Sequence, residues 1–239
     1  MDALTNGVTI KVGDSTYHSF ADFGLAIGNT NYIEAPEYDT YYVNVPGRDG
    51  FLDLSETIAG RVIYRQRKIS IEFGGKGENN EWDAKMSDIR NKFHGKTVQL
   101  IFDNDPEWYW TGRADINDYD RFQNMGTFKF EIPQADPFKY KVTAQTLEWS
   151  LTSSYVSKDA PASAIAVCPE FTVAGISDSY SVDVRIASGY PGYGWSKSLG
   201  SNGTYRFPEL LITSATRFQA RKLSTSGATL KITYRQASL

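Results

Sequence analysis

Two histidines, His18 and His94, and one cysteine, Cys168, are the strongest metal-ligand and nucleophile candidates in 239 residues. Zinc sites need Cys and His at short, fixed spacings, and one Cys with two distant His supplies none. A thiol nucleophile needs a base beside it. Cys168 instead precedes Pro169 in an apolar run, which predicts a buried structural thiol. No Gly-x-Ser-x-Gly elbow occurs. Gly74-Gly75-Lys76-Gly77 lacks the Ser or Thr that follows the lysine of a phosphate loop, so it reads as a plain loop. Carboxylates cluster twice, as Asp103, Asp105 and Glu107 and as Asp115, Asp118 and Asp120. Such groups suit calcium or a pair of glycosidase acids. Neither matches an EF-hand, and Asp is an ordinary turn residue. The expectation is no catalytic residue, no metal and no cofactor.

Aromatic clusters are the other chemistry on offer. Trp108-Tyr109-Trp110 lies on a predicted strand, where Trp108 and Trp110 share one face and belong to the core. Tyr190-Pro191-Gly192-Tyr193-Gly194-Trp195 reads as a loop that displays flat rings. Tyr190, Tyr193 and Trp195 are therefore candidate contacts for a glycan or a partner.

Charge narrows the partners. Lys and Arg number 25 against 28 Asp and Glu, so the net charge is −3, with a pI near 5.5. A dedicated duplex-DNA binder needs a basic surplus. The four cations of Arg61–Lys68 interleave with Val62, Ile63 and Tyr64, the pattern of a half-exposed strand. One cysteine allows no intrachain disulfide and fits a reducing compartment. The first residues show no basic-then-apolar leader, and no apolar run approaches about 18 residues, so neither a signal peptide nor a membrane span is expected.

The elements that hold these residues are mostly strands. Aromatics make up 14% of the chain, a bias toward sheets. Val8, Ile10 and Val12 alternate, as do Ile69, Ile71 and Phe73, and Phe128, Phe130 and Ile132. Thr40–Val45 and Phe51–Leu54 flank Pro46-Gly47-Arg48-Asp49-Gly50, a hairpin with a long loop. One helix stands out, with Trp82, Met86, Ile89 and Phe93 forming an apolar stripe, Asn80 as cap and Gly95 as terminator. Composition shifts near residue 150, where Ser150–Ala166 reads as a linker or irregular connection. Beyond it lie six short predicted strands, Glu170–Val173, Tyr180–Ile186, Gly203–Phe207, Leu210–Ile212, Thr216–Arg221 and Ala228–Tyr234, the signature of a small β-sandwich or jelly roll.

The hairpin Tyr41–Glu56 resembles the distal tail protein (Dit) family of siphophages and prophages, and the order of landmarks agrees. Asp22-Phe23-Gly24-Leu25 lies upstream. The strand ending in Ile69–Phe73, the single helix, Thr97–Phe102, Trp110–Arg113 and Ala135–Tyr140 follow. Ala135 stands where relatives often carry Cys. The resemblance covers about residues 1–145 and implies a mainly β fold. It implies that an N-terminal tail-tube-like β-sandwich with one flanking helix (1–147) forms the ring and that a C-terminal galectin-like β-sandwich (148–239) docks partners. It implies a hexameric hub at the virion tail tip, made in the bacterial host cytoplasm. The hub joins tail-tube protein to tail-associated lysin and receptor-binding or baseplate proteins, and passes DNA without binding it. The hairpin residues Val45, Pro46, Gly47, Arg48, Asp49, Gly50 and Phe51 become subunit-interface candidates. The alternative is an adhesion module that binds host cell-wall carbohydrate through Tyr190–Trp195.

Overall fold

The computed structural model describes residues 7–29, 31–57, 60–77, 79–176, 181–188, 194–223 and 227–239. The chain divides into two compact units, Met1–Lys139 with Leu239, and Tyr140–Ser238. The division falls ahead of the expected 147/148 boundary, which would cut a strand, Gln145–Ser150.

The first unit is mainly β. Its elements are β1 (Val8–Val12), β2 (Ser15–His18), α1 (Ser19–Phe23), β3 (Ala26–Ile27), β4 (Tyr32–Ile33), β5 (Tyr42–Asn44), β6 (Phe51–Asp53) and β7 (Arg67–Lys76). They continue with α2 (Asn79–Phe93), β8 (Thr97–Phe102), β9 (Trp108–Arg113), β10 (Asp115–Phe122) and β11 (Met125–Ala135). Within the unit, β2-β1-β8-β9 form one antiparallel sheet. A second sheet runs β10-β11-β7, with the short β3 and β4 along the free edge of β7.

The alternating residues face the core as their spacing predicts. Val8, Ile10, Ile69, Ile71, Phe73, Phe128, Phe130 and Ile132 are all buried, and so is the full helical stripe of Trp82, Met86, Ile89 and Phe93. Phe93 meets Phe130 edge-on at 6.0 Å, tying α2 to the second sheet. Asn80 is not the cap, because α2 already begins at Asn79. Gly95 does hold a left-handed conformation, φ 73°, just past the helix. The second helix, α1, escaped the sequence reading because its cap is a histidine. His18 Nδ1 accepts the Ala21 N–H at 3.1 Å.

Gly74-Gly75-Lys76 is not a loop but the end of β7, paired with Met125–Thr127. The neighbouring Gly126 and Gly77 make room for Trp82. A Cβ on Gly126 would lie 2.5 Å from the indole, and one on Gly77 would lie 3.1 Å from its Nε1. A Cβ on Gly75 would meet Gly24 O at 2.8 Å. The predicted strand Arg61–Phe73 likewise begins only at Arg67, and Tyr64 makes an isolated bridge to Tyr38.

The second unit follows β12 (Lys139–Lys141) and holds β13 (Gln145–Ser150), β14 (Val156–Ala160), β15 (Glu170–Ala174), β16 (Val182–Ser188) and β17 (Ser196–Leu199). It continues with β18 (Gly203–Arg206), β19 (Thr216–Lys222), β20 (Thr229–Tyr234) and β21 (Ala237–Ser238). Sheets β13-β20-β15-β18 and β14-β19-β16-β17 form the predicted sandwich. Phe171 of one meets Phe218 of the other edge-on at 6.0 Å, both fully buried. The expected linker Ser150–Ala166 contains β14, which pairs with β19 residue for residue. Leu210–Ile212 is no strand; Leu210 and Ile212 are buried, and Ile212 bridges Val167.

Tyr234 donates its hydroxyl to Pro161 O at 2.6 Å. Burial pushes its pKa up to about 12. The folded protein thus favours the neutral phenol, whose stabilisation is whole below the ordinary value near 10 and is lost as pH rises toward 12. Denaturant unfolding between pH 9 and 12 should show stability falling in that window, and Tyr234→Phe should flatten the fall.

Candidate assembly surface

After β4 the chain leaves the second sheet and returns only at β7. The excursion is an arm. Its end is the β5–β6 ribbon, with Tyr42 opposite Asp53, Val43 opposite Leu52 and Asn44 opposite Phe51. Strand alternation puts Tyr42 and Phe51 on one face of the ribbon, with Val43 and Leu52 on the other. The turn is built by Gly47 and Gly50 at φ 80° and 75°, and the Arg48 N–H donates to Val45 O at 3.1 Å. Ser55 donates to Asp53 through both its hydroxyl and its N–H, holding that carboxyl below the usual range, and its Oγ accepts the Tyr41 N–H. At the base, Arg65 Nε donates to Asp39 Oδ1 at 2.5 Å, and the Asp39 N–H donates to Ile63 O. Tyr64 meets Phe138 edge-on at 5.6 Å.

The arm is ordered by hydrogen bonds but is poor in buried apolar contact. Phe51 is 69% exposed, Tyr38 62%, Tyr42 56% and Tyr41 53%. A lone two-stranded ribbon is marginal in water. Tyr42 and Phe51, exposed together on one face of the ribbon, form the kind of surface that marks a protein interface. Each hairpin candidate, Val45 through Phe51, lies on this arm.

The whole chain is similar in fold to the SPP1 Dit protein (gp 19.1). The match has a TM-score of 0.60 at 12% identity and covers 97% of this chain and 99% of that one. SPP1 Dit is described as a paradigm of the hub adsorption apparatus in phages that infect Gram-positive bacteria. No family model and no curated protein matches the chain. The likeness to Dit read from the sequence landmarks is therefore matched by the fold, over both units.

Within this Dit-like fold the remaining candidates disperse. Asp103 pairs with His18 Nε2 at 3.2 Å, and Asp105 with Lys139 at 2.7 Å. Asp115 lies 3.2 Å from His94, Asp118 pairs with Lys129 at 2.7 Å, and Asp120 accepts the Arg121 N–H. Among the described residues no three His, Cys, Asp or Glu gather as metal ligands would. Cys168 is exposed rather than buried. Alternation between the buried Val167 and Pro169 turns it outward, where Sγ lies 3.3 Å from Phe207 O. Tyr190 and Tyr193 lie outside the described residues. Trp195 is half-buried and stacks on Phe171 at 5.7 Å, with Phe207 edge-on at 5.4 Å. Its remaining surface lines an open cleft of about 420 Å³ with Arg185, Ser196 and Gln219.

The cations of Arg61–Lys68 form no patch. Arg65 is bound within the arm, and Lys68 pairs with Glu131 at 2.8 Å. Arg67 is buried at 6% exposure with its guanidinium 4.7 Å over the Trp110 ring, and its Nε and Nη2 have no hydrogen-bond partner. Burial lowers its pKa despite the charge of Asp136. A desolvated guanidinium with two buried N–H groups left without a partner costs stability. Arg67→Met is expected to raise unfolding free energy by about 1 kcal/mol in chemical denaturation.

Proposed function

We propose that this chain is a structural hub of a phage tail. Copies close into a hexameric ring at the tail tip, with the arm of each copy on its neighbour and Val45–Phe51 at the contact. The first unit builds the ring, and the second docks the tail-associated lysin and receptor-binding or baseplate proteins. The ring continues the tail tube, gives DNA passage and catalyses nothing. The chain is made in the bacterial host cytoplasm before joining the virion.

The observation that carries this reading is the arm, ordered at its base and turn yet exposing Phe51, Tyr38, Tyr42 and Tyr41. The Dit-like fold supports it. Repeating one arm-to-body contact generates a ring where the rotation closes. Size-exclusion chromatography with light scattering should report six chains per particle at micromolar concentration. A constant single-chain mass, alone and with tail-tube protein, would count against the hub.

The cleft beside Trp195 favours a second reading, a host cell-wall glycan contact in the second unit. Arg185 and Gln219 offer polar groups and Trp195 a ring edge. Binding to cell-wall polysaccharide, lost in Trp195→Ala, supports it; no binding by the parent chain removes it.

A further inference from the structure

The two units differ sharply in charge. Residues 1–139 hold 15 Lys and Arg against 22 Asp and Glu, a net −7, while residues 140–239 hold 10 against 6, a net +4. The acidity of the whole chain belongs to the first unit. In the second, one sheet face gathers three arginines. Strand alternation against the buried Val182, Val184, Phe218 and Ala220 turns Asp183 and Arg185 of β16 outward, and with them Arg217, Gln219 and Arg221 of β19.

Two of the three arginines are neutralised in place. Arg217 donates to Asp159 through Nε at 2.7 Å and Nη2 at 3.1 Å. Arg221 donates to Asp183 Oδ2 through Nε at 3.1 Å and Nη2 at 2.9 Å, and the Ser198 hydroxyl donates to the other oxygen. Arg185 is different. Its Nε donates to Gln219 Oε1 at 2.8 Å, and the Gln219 amide donates to the Ser157 hydroxyl at 3.0 Å. Its guanidinium lies 3.7 Å from the centre of the Tyr155 ring, which Arg221 also faces at 4.6 Å. Two guanidiniums share one ring, and only Arg221 has a counter-charge. Among the described residues no carboxylate pairs with Arg185. Three arginines stand against two aspartates, and the excess cation is the arginine that lines the cleft of about 420 Å³ beside Trp195.

We propose, resting on the glycan reading of this cleft, that its ligand is an anionic sugar polymer whose phosphate or carboxylate groups seat on the open Nη edge of Arg185. The ring beneath and the Gln219 amide fix the guanidinium before a ligand arrives, so little side-chain entropy is lost when its fork meets an anion. Ser196 and Trp195 supply a hydroxyl and a ring edge to the adjoining sugar. A concave site with one open fork suits a repeating unit of that size. An acidic protein surface would bring several carboxylates to a face with one cation to spare.

The test measures binding of the purified full chain to host cell-wall polysaccharide in three forms: intact, after hydrofluoric acid has cleaved its phosphodiesters, and after its carboxyl groups have been reduced to alcohols. Binding should survive one treatment and be lost in the other, which tells phosphate from carboxylate as the bound group. Arg185→Gln should weaken binding to the intact polymer roughly tenfold to a hundredfold, the range for a lost charge-assisted hydrogen bond. Arg185→Lys keeps the charge without the fork and should recover only part. Arg217→Gln removes the same charge from the same face and should leave binding unchanged. The polymer treatments need no variant, so they decide even where Arg185→Gln does not fold. Equal binding after both treatments, or equal weakening by Arg185→Gln and Arg217→Gln, overturns the anion assignment. Loss of that binding in Trp195→Ala then leaves the glycan reading standing. A parent chain that binds no form of the polymer, whether or not it captures an acidic tail protein instead, overturns both.

Discussion

Gly126→Ala is expected to destabilise the first unit by about 1–3 kcal/mol, the range for a core forced to accept an extra methyl. The new Cβ would sit 2.5 Å from the Trp82 indole, which is fully buried between α2 and the second sheet. Neither partner has room to yield: the ring is enclosed, and Gly126 is paired on both sides, to Gly75 of β7 and to Arg121 of β10. Trp82→Ala should cost more, about 3–5 kcal/mol, because it empties the largest buried site of the unit. The two effects must not add. With the indole gone, the methyl enters vacated space, so Gly126→Ala in the Trp82→Ala background should be close to neutral. Urea unfolding of the four proteins closes the cycle, and additivity would show that the glycines serve something other than the tryptophan.

Tyr42→Ser combined with Phe51→Ser should abolish assembly while leaving the fold alone. Both rings are more than half exposed, so their loss from a single chain should change stability by no more than about 0.5 kcal/mol. In a ring, each aromatic buried against a neighbour contributes about 1.5–3 kcal/mol. Removing two weakens every interface by about 3–6 kcal/mol, or a hundredfold or more in affinity. Light scattering should then report single chains where the parent reports rings, with superimposable unfolding curves. A matching loss of stability would mean that the rings pack against their own chain.

Much of this architecture is legible in the sequence. The four-residue stripe of α2 and the alternation in β7 and β11 are local signals, and burial followed them at each position. The Pro-Gly-Arg-Asp-Gly turn marks the arm just as locally. What escaped depends on contacts between distant residues. Gly75 looks like a loop residue until Gly24 and Leu25 close over it from another part of the chain. Ser150–Ala166 looks like a linker because Ser and Lys on β14 face solvent, while its pairing to β19 is made some sixty residues away in sequence. Cys168 is apolar by type but outward by register. The arm's aromatics are the deeper case: composition counts rings for a core and an interface alike, and only exposure separates Phe51 from Phe73.

Electron microscopy of the purified chain tests the central claim most directly. End-on class averages should show a closed six-membered ring with a central opening wide enough for a DNA duplex, and an arm from each subunit lying across its neighbour. Single particles at every concentration, or open filaments built by the same contact without closure, would contradict it.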